Sequence, residues 1–270
     1  MNYKAVRLNR TSHYDRATHW PEHEGAIVSA GDGDFTLTEN GCGPGIHSSP
    51  ALLQAVSFQD GPSIYLAVEP IDIIQTRRDK TRSKAVRIDH WLTPKETDEL
   101  AGFKLWEANH PVNPLELQPK PFSDDELTEL VRQWASAGAN VWAAVQNSVG
   151  TSVRDSFGAA VQNSVRIAVR ASFGAAAGAS VRAAAGASFG ASAWASAWTS
   201  VWDSAGAAIW AYTGGLFPGI TSWKGVERLG PDPWRPLLTL WYGGYLPTFD
   251  SKIWRLHTGP AATVVWEGKL

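Results

Sequence analysis

The chain has 270 residues, a formal net charge of -2, and 44% hydrophobic against 19% charged residues. That balance excludes a disordered chain, and the near-neutral charge excludes a strongly basic nucleic-acid binder and an acidic DNA mimic. No apolar run approaches the roughly 20 residues of a membrane span, and the single cysteine, Cys42, leaves no internal disulfide framework and fits a reducing compartment.

Residues 1–122 have mixed composition and read as an α+β head. The opening MNYKAVRLNR lacks a signal peptide's apolar stretch, and Tyr3-Lys4-Ala5-Val6-Arg7-Leu8 alternates as a strand does. Gly31-Asp32-Gly33-Asp34 and Asn40-Gly41 are turn signals, the second suited to a hairpin. Ser49-Pro50 leads into a short helix over 51–56. A strand over 63–68 is predicted to stop before Pro70, and Lys84-Ala85-Val86-Arg87-Ile88 alternates as another. Thr93-Pro94-Lys95-Glu96 combines a capping threonine, a first-turn proline and a reciprocal glutamate, so a helix starts there. The four prolines of Asn109–Pro121 mark a linker. Ser123-Asp124-Asp125-Glu126 repeats the capping box and predicts a helix over 123–135, its first-turn acids explained by the helix dipole.

From Ser136 to Ala211 the chain holds one four-residue register through 19 units. The first place is Ser or Ala (Asn at 140), the second Val, Phe, Ala or Ile, the third Gly, Arg, Trp or Gln, and the fourth mostly Ala. A period of 4.0 outruns the helical 3.6, so an apolar stripe drifts about 40° per unit and circles a single long helix in roughly nine units. Packed shorter helices would need turns, and the register shows no insertion to hold them. A second period points elsewhere. Phe157, Phe173 and Phe189 are 16 residues apart, each followed by glycine, and the same spacing separates Arg154 from Arg170, Arg166 from Arg182 and Trp194 from Trp210. Sixteen residues are four units, so the expected fold is a right-handed, four-sided parallel β-solenoid over 136–211, with like residues stacked coil on coil.

In such a solenoid the second and fourth places point inward and the third points out. Arg154, Arg166, Arg170 and Arg182 then form two stacked pairs on adjacent sides. Trp194, Trp198, Trp202 and Trp210 crowd the last coils, where they call for a cover. Residues 212–270, rich in Pro, Gly and Trp, are expected to fold back as a cap over the open end. These arginines and tryptophans are the candidate partner-binding residues.

Signals for chemistry are sparse. His13, His19, His23, Cys42 and His47 lack the tight spacing of a zinc site, so neither a metal nor a cofactor is expected. Cys42 and His47, in a loop with Gly41, Gly43, Pro44 and Gly45, are the one candidate nucleophile and base. No phosphate loop, nucleophile elbow, zinc-protease or dinucleotide motif occurs.

Cys42, Gly45, Ile46 and His47 spell C-x-x-G-[FI]-H. With this motif, residues 1–92 resemble a domain widespread in an uncharacterised family of phage and bacterial proteins. The tetrads, ending in Trp210-Ala211-Tyr212-Thr213, are similar to the Ser-Val-Trp-Asp repeats often attached to it. The stretch Pro247-Thr248-Phe249-Asp250-Ser251-Lys252-Ile253-Trp254-Arg255-Leu256-His257 looks like the closing motif of the same proteins. Family members carry a second cysteine after the histidine where this chain has Ser48 or Ser49, which weakens a metal role further. The resemblance implies a phage or prophage accessory protein in the cytoplasm of an infected or lysogenic bacterial host, and implies no activity.

The sequence thus leads to a non-enzymatic interaction protein presenting a rigid repeat to a host or phage protein, with room for a homodimer and no membrane contact. One alternative makes the head an enzyme or small-ligand domain built on Cys42 and His47, which requires a concave pocket around them. Another uses the arginine rows to bind nucleic acid.

Overall fold

The computed structural model describes residues 1–270 except 14–15, 17, 34, 38–42, 137–141, 168–193, 227–231 and 251, and describes only the backbone of 142–144 and 194–202. The chain divides into two units, Met1–Asn109 with Asn163–Ala168, and His110–Gln162 with Val169–Leu270.

The N-terminal unit contains β1 (Asn2–Arg7), β2 (Ile27–Ser29), β3 (Ile46–Ser48), α1 (Leu52–Val56), β4 (Ser63–Thr76), β5 (Thr81–Trp91), α2 (Pro94–Ala101) and α3 (Leu105–Asn109). β4 and β5 form a long antiparallel hairpin, with β1 on the outer edge of β4. β2 and β3 share the other edge of β5, opposite residues 85–87 and 81–83 respectively. Just past β3, Ser49 and Tyr3 exchange both backbone hydrogen bonds, at 2.7 and 2.8 Å. The strand path therefore returns from β3 to β1, and the sheet closes on itself at that seam. Inside it pack Val6, Trp20, Val28, Leu66, Val86 and Ile88.

The predicted strand before Pro70 runs eight residues further than the sequence indicates, because Pro70 is no obstacle where it sits. β1 reaches only to Val68, so beyond that residue one side of β4 has no described neighbour and a missing N–H removes no ladder bond. The two capping boxes form as the sequence predicts. The Thr93 hydroxyl accepts from the Glu96 N–H and the Glu96 carboxylate accepts from the Thr93 N–H. Ser123 and Glu126 repeat the exchange at the head of α4 (Asp124–Ser136).

The repeat is helical, and this overturns the expected β-solenoid and β-helix. α5 (Trp142–Phe157), α6 (residues 159–167) and α7 (Trp194–Gly215) fall within it, and every strand pair among the described residues is antiparallel. Two features of the tetrads explain the outcome. First, alanine is the strongest helix former, and the four units of α5 drift only about 160° in total, so a short helix keeps one apolar face. That face is Val145, Ser148, Val149, Ser152 and Val153, spaced i, i+3, i+4, i+7, i+8, all buried. The second places Val145, Val149 and Val153 and the first places Ser148 and Ser152 thus point inward, while Gln146, Asn147, Arg154 and Asp155, from third and fourth places, are exposed. Strand alternation would have put the fourth place inside.

Second, the turn needs no inserted residue. Gly158, itself a third place, has φ +88°, its N–H closes on the Arg154 carbonyl at 2.8 Å, and its own carbonyl accepts from Gln162 as α6 starts. Helix, stop and next helix fit inside one unbroken register. Phe157 sits on the last turn of α5 with its ring 5.3 Å from that of Phe217, whereas Phe173 and Phe189 lie outside the described residues. A Cβ on Gly158 would meet nothing within 4 Å, so Gly158→Ala isolates the backbone penalty of a left-handed residue. It is expected to lower stability by about 1 kcal/mol, read as a shift of the urea midpoint with an unchanged slope.

In the C-terminal unit α5 packs on α7, and α7 packs on α8 (Arg235–Tyr242) and on the first strand of a sheet ordered β6 (Leu246–Phe249), β7 (Trp254–Thr258), β8 (Thr263–Gly268). Contact between α7 and α8 requires glycine. A Cβ on Gly214 would stand 2.6 Å from Nε1 of the buried Trp234. Residues 212–270 therefore supply a helix and a sheet to the core of this unit, and the expected cover for a solenoid end has no solenoid to cover.

Candidate functional site

The seam that closes the N-terminal sheet borders a cleft of about 540 Å³, within the range of about 300–1,000 Å³ usual for small-molecule pockets. β1 contributes Tyr3, Lys4 and Ala5. The segment after it contributes Ser12, His13, Thr18 and Trp20. Gly31 and Asp32 follow β2, Gly43-Pro44-Gly45 lead into Ile46 and His47, and Phe58 and Lys80 complete the wall. Trp20 is fully buried, and its Nε1 donates to the Ser12 hydroxyl at 3.0 Å. The Lys4 ammonium lies 5.8 Å from the centre of the Trp20 ring.

His13 is buried and held at both ring nitrogens. Nδ1 lies 2.6 Å from a carboxylate oxygen of Asp60, and Nε2 lies 2.8 Å from the Ser63 hydroxyl. Asp60 also receives Arg7 on both oxygens, at 2.8 and 2.7 Å. Burial holds the His13 pKa below the usual imidazole value, and the hydrogen bond the ring donates to Asp60 only partly offsets this. Asp60 is held low: burial raises its pKa, but the hydrogen bond and charge of His13, with Arg7, outweigh that. His13 Nδ1–H donates to Asp60, and Nε2 shares the Ser63 hydroxyl with the Gly61 carbonyl, which lies 2.9 Å from that hydroxyl.

Asp60, His13 and Ser63 stand in the order of a nucleophilic triad, yet the serine has no exposed surface. Its N–H donates to Asn109 Oδ1 at 2.9 Å. Asn109 Nδ2 in turn donates to the Tyr65 hydroxyl, which donates to Gln59 at 2.6 Å. Burial pushes the Tyr65 phenol up. These groups tie the segment after β1 to the start of β4 and to α3, fixing the wall of the cleft. No spacing in the sequence signals them, because His13 lies 47 residues from Asp60 and 50 from Ser63.

His47 faces the same cleft from β3 and is half-buried. Its Nε2 lies 3.1 Å from the Gly43 carbonyl, which can only accept, so Nε2 carries the hydrogen. Burial lowers its pKa first; the bond to Gly43 opposes this, and the charges of Lys4, Lys80 and Arg82 lower it further. Arg82, its cross-strand partner, is itself buried and donates to the Thr36 carbonyl at 2.6 Å.

Of the other residues singled out by sequence, Cys42, Arg170 and Arg182 lie outside the described residues, as do the side chains of Trp194, Trp198 and Trp202 on α7. Arg154 is exposed on α5, Arg166 on α6 is half-buried and donates to Asn163 at 2.7 Å, and Trp210 on α7 is half-buried. The stacked arginine pairs depended on the solenoid and fall with it. Among the described residues no three His, Cys, Asp or Glu side chains converge as a metal site, and no helix is long and apolar enough to cross a membrane. No protein-family model, curated protein or solved structure matches the chain.

Proposed function

We propose that the protein is a binding protein whose N-terminal unit holds a small molecule in the cleft at the β1–β3 seam. The observation that carries this reading is the cleft itself, walled by Tyr3 and Phe58 over the buried Trp20, with His47 and the lysines at its edge. Binding is favoured over nucleophilic chemistry because Ser63, the serine beside His13, is sealed from solvent. On this reading the protein works in the cytoplasm of an infected or lysogenic bacterial host, as the resemblance of its motifs to phage proteins implies.

Indole, a neutral planar ring, is a suitable probe. Gly31 lines the cleft, has no positive φ, and a Cβ there would meet nothing within 4 Å, so Gly31→Trp fills the space without straining the backbone. Indole is expected to raise the thermal midpoint of the natural chain and leave that of Gly31→Trp unmoved. Equal shifts in both, or none in the natural chain, would remove the proposal.

A further inference from the structure

We propose that Gly31-Asp32-Gly33 is a flap that opens to admit the ligand and closes over it against Pro44. This rests on the small-molecule reading above and adds how the cleft is entered. Among the described residues that line the cleft, only Gly31, Asp32, Gly43 and Pro44 are exposed, and the rest are buried or half-buried. These four belong to two short segments, one after β2 and one before β3. The two segments therefore form the outer wall between the cleft and solvent.

The two segments are held very differently. Before β3, the Gly43 carbonyl accepts from Nε2 of His47 at 3.1 Å. A Cβ on Gly45 would stand 2.9 Å from Cγ of Arg82 and 3.1 Å from the Ser83 carbonyl oxygen, so the backbone lies directly on β5. This side is fixed. After β2 the chain is pinned at Ala30, whose N–H donates to the Lys84 carbonyl at 2.8 Å, and again at Thr36, whose carbonyl accepts from Arg82 at 2.6 Å. Between those two pins, Gly31, Asp32 and Gly33 make no hydrogen bond among the described residues, and a Cβ on Gly31 would meet nothing within 4 Å. A segment with so few bonds and contacts opens readily. It closes on the fixed side through Gly33, where a Cβ would stand 2.9 Å from Cβ of Pro44 and 3.4 Å from its Cγ. Only glycine lets the backbone rest against the proline ring there. The contact can part and re-form, and when shut it separates a bound ligand from water.

A disulfide across this contact tests the flap. Gly33 has no positive φ, and the Cβ atoms of Gly33→Cys and Pro44→Cys need only move from 2.9 Å to the roughly 3.5–4.5 Å of a disulfide. Cys42→Ser removes the competing thiol. Calorimetry with indole on this full-length variant is expected to give the heat of the natural chain when reduced and none when oxidised. Oxidation with indole already present, followed by gel filtration, should retain indole that a reductant then releases. Equal heat from both forms, with the disulfide verified by mass spectrometry, would overturn the flap and leave the cleft reading standing. Loss of heat without trapping would mean that the bridge distorts the cleft, and would overturn the flap as well. No heat from the natural chain would overturn the two readings together. Should the cysteine variant fail to fold, Gly33→Ala keeps the test open. Its methyl group displaces Pro44, so indole should exchange faster than with the natural chain in NMR line shapes, and an unchanged rate would overturn the flap.

Discussion

Trp241→Ala is expected to be among the most damaging single substitutions in the C-terminal unit, lowering stability by about 3–5 kcal/mol. The Trp241 ring is 1% exposed and stacks on Tyr212, with centroids 5.0 Å apart and planes 20° from parallel. Its Nε1 donates to the Val112 carbonyl at 2.7 Å, while the Val112 N–H donates to the Tyr212 hydroxyl at 3.1 Å. One stacked pair thus clamps both polar groups of a single backbone residue. Alanine removes the stack, opens a cavity and strands a carbonyl. Trp241→Phe restores most of the volume but not the donor, so it should recover most of the loss and retain a deficit of about 1–3 kcal/mol. Urea denaturation monitored by far-UV circular dichroism measures both. A midpoint for the alanine variant within experimental error of the natural chain would show that the clamp does not carry this packing.

Acid is expected to destabilise the protein in two separate stages, and Asp250→Ala should weaken the second. The first stage comes from His13, His47 and His257, each with its pKa lowered mainly by burial. His257 sits in β7, where Nε2 accepts from the Thr248 hydroxyl at 2.7 Å and Nδ1 donates to the Ala262 carbonyl at 3.0 Å. The unfolded chain protonates these rings at about 6.5, before the folded chain does. Stability is therefore full above that value and falls as pH drops below it, by up to about 1.4 kcal/mol per pH unit for each ring.

The second stage comes from carboxylates held low in the folded chain, Asp60 and Asp250 among them; the Asp250 carboxylate accepts from the Lys252 and Ile253 N–H groups and from Arg255 at 2.5 Å. Burial raises its pKa, but these bonds and the Arg255 charge outweigh that and hold it below the usual carboxylate value. Its contribution is present above the unfolded carboxylate range and is lost as pH falls through the lower folded value. Asp250→Ala should cost about 3 kcal/mol at neutral pH, because it removes the carboxylate 2.5 Å from Arg255, a guanidinium only 13% exposed. The same variant should show the first acid stage unchanged. A variant as stable as the natural chain at neutral pH would show that the ion pair does not hold the β6–β7 turn.

The repeat forms separate helices because a glycine already inside the register supplies the turn, with no inserted residue. The 16-residue spacing of the Phe-Gly pairs is real, and α5 is 16 residues long and ends on Phe157-Gly158. The period read as one circuit of a coil is, over α5, the length of a helix with its own terminator. Only a helix that ran on past the glycine would carry its apolar stripe around the axis.

By itself the sequence determined those features whose causes are local. The capping boxes at Thr93 and Ser123, the strands at Tyr3 and Lys84, and the short helix after Pro50 each depend on a few neighbouring residues. Tertiary structure alone decided the rest. Pro70 passes through a strand because β1 happens to end at Val68. The closing seam joins Tyr3 to Ser49, and the cleft brings His47 beside Lys4 and Lys80. Such meetings depend on which strand lies beside which, and a linear pattern encodes spacing along the chain but not the neighbour across it.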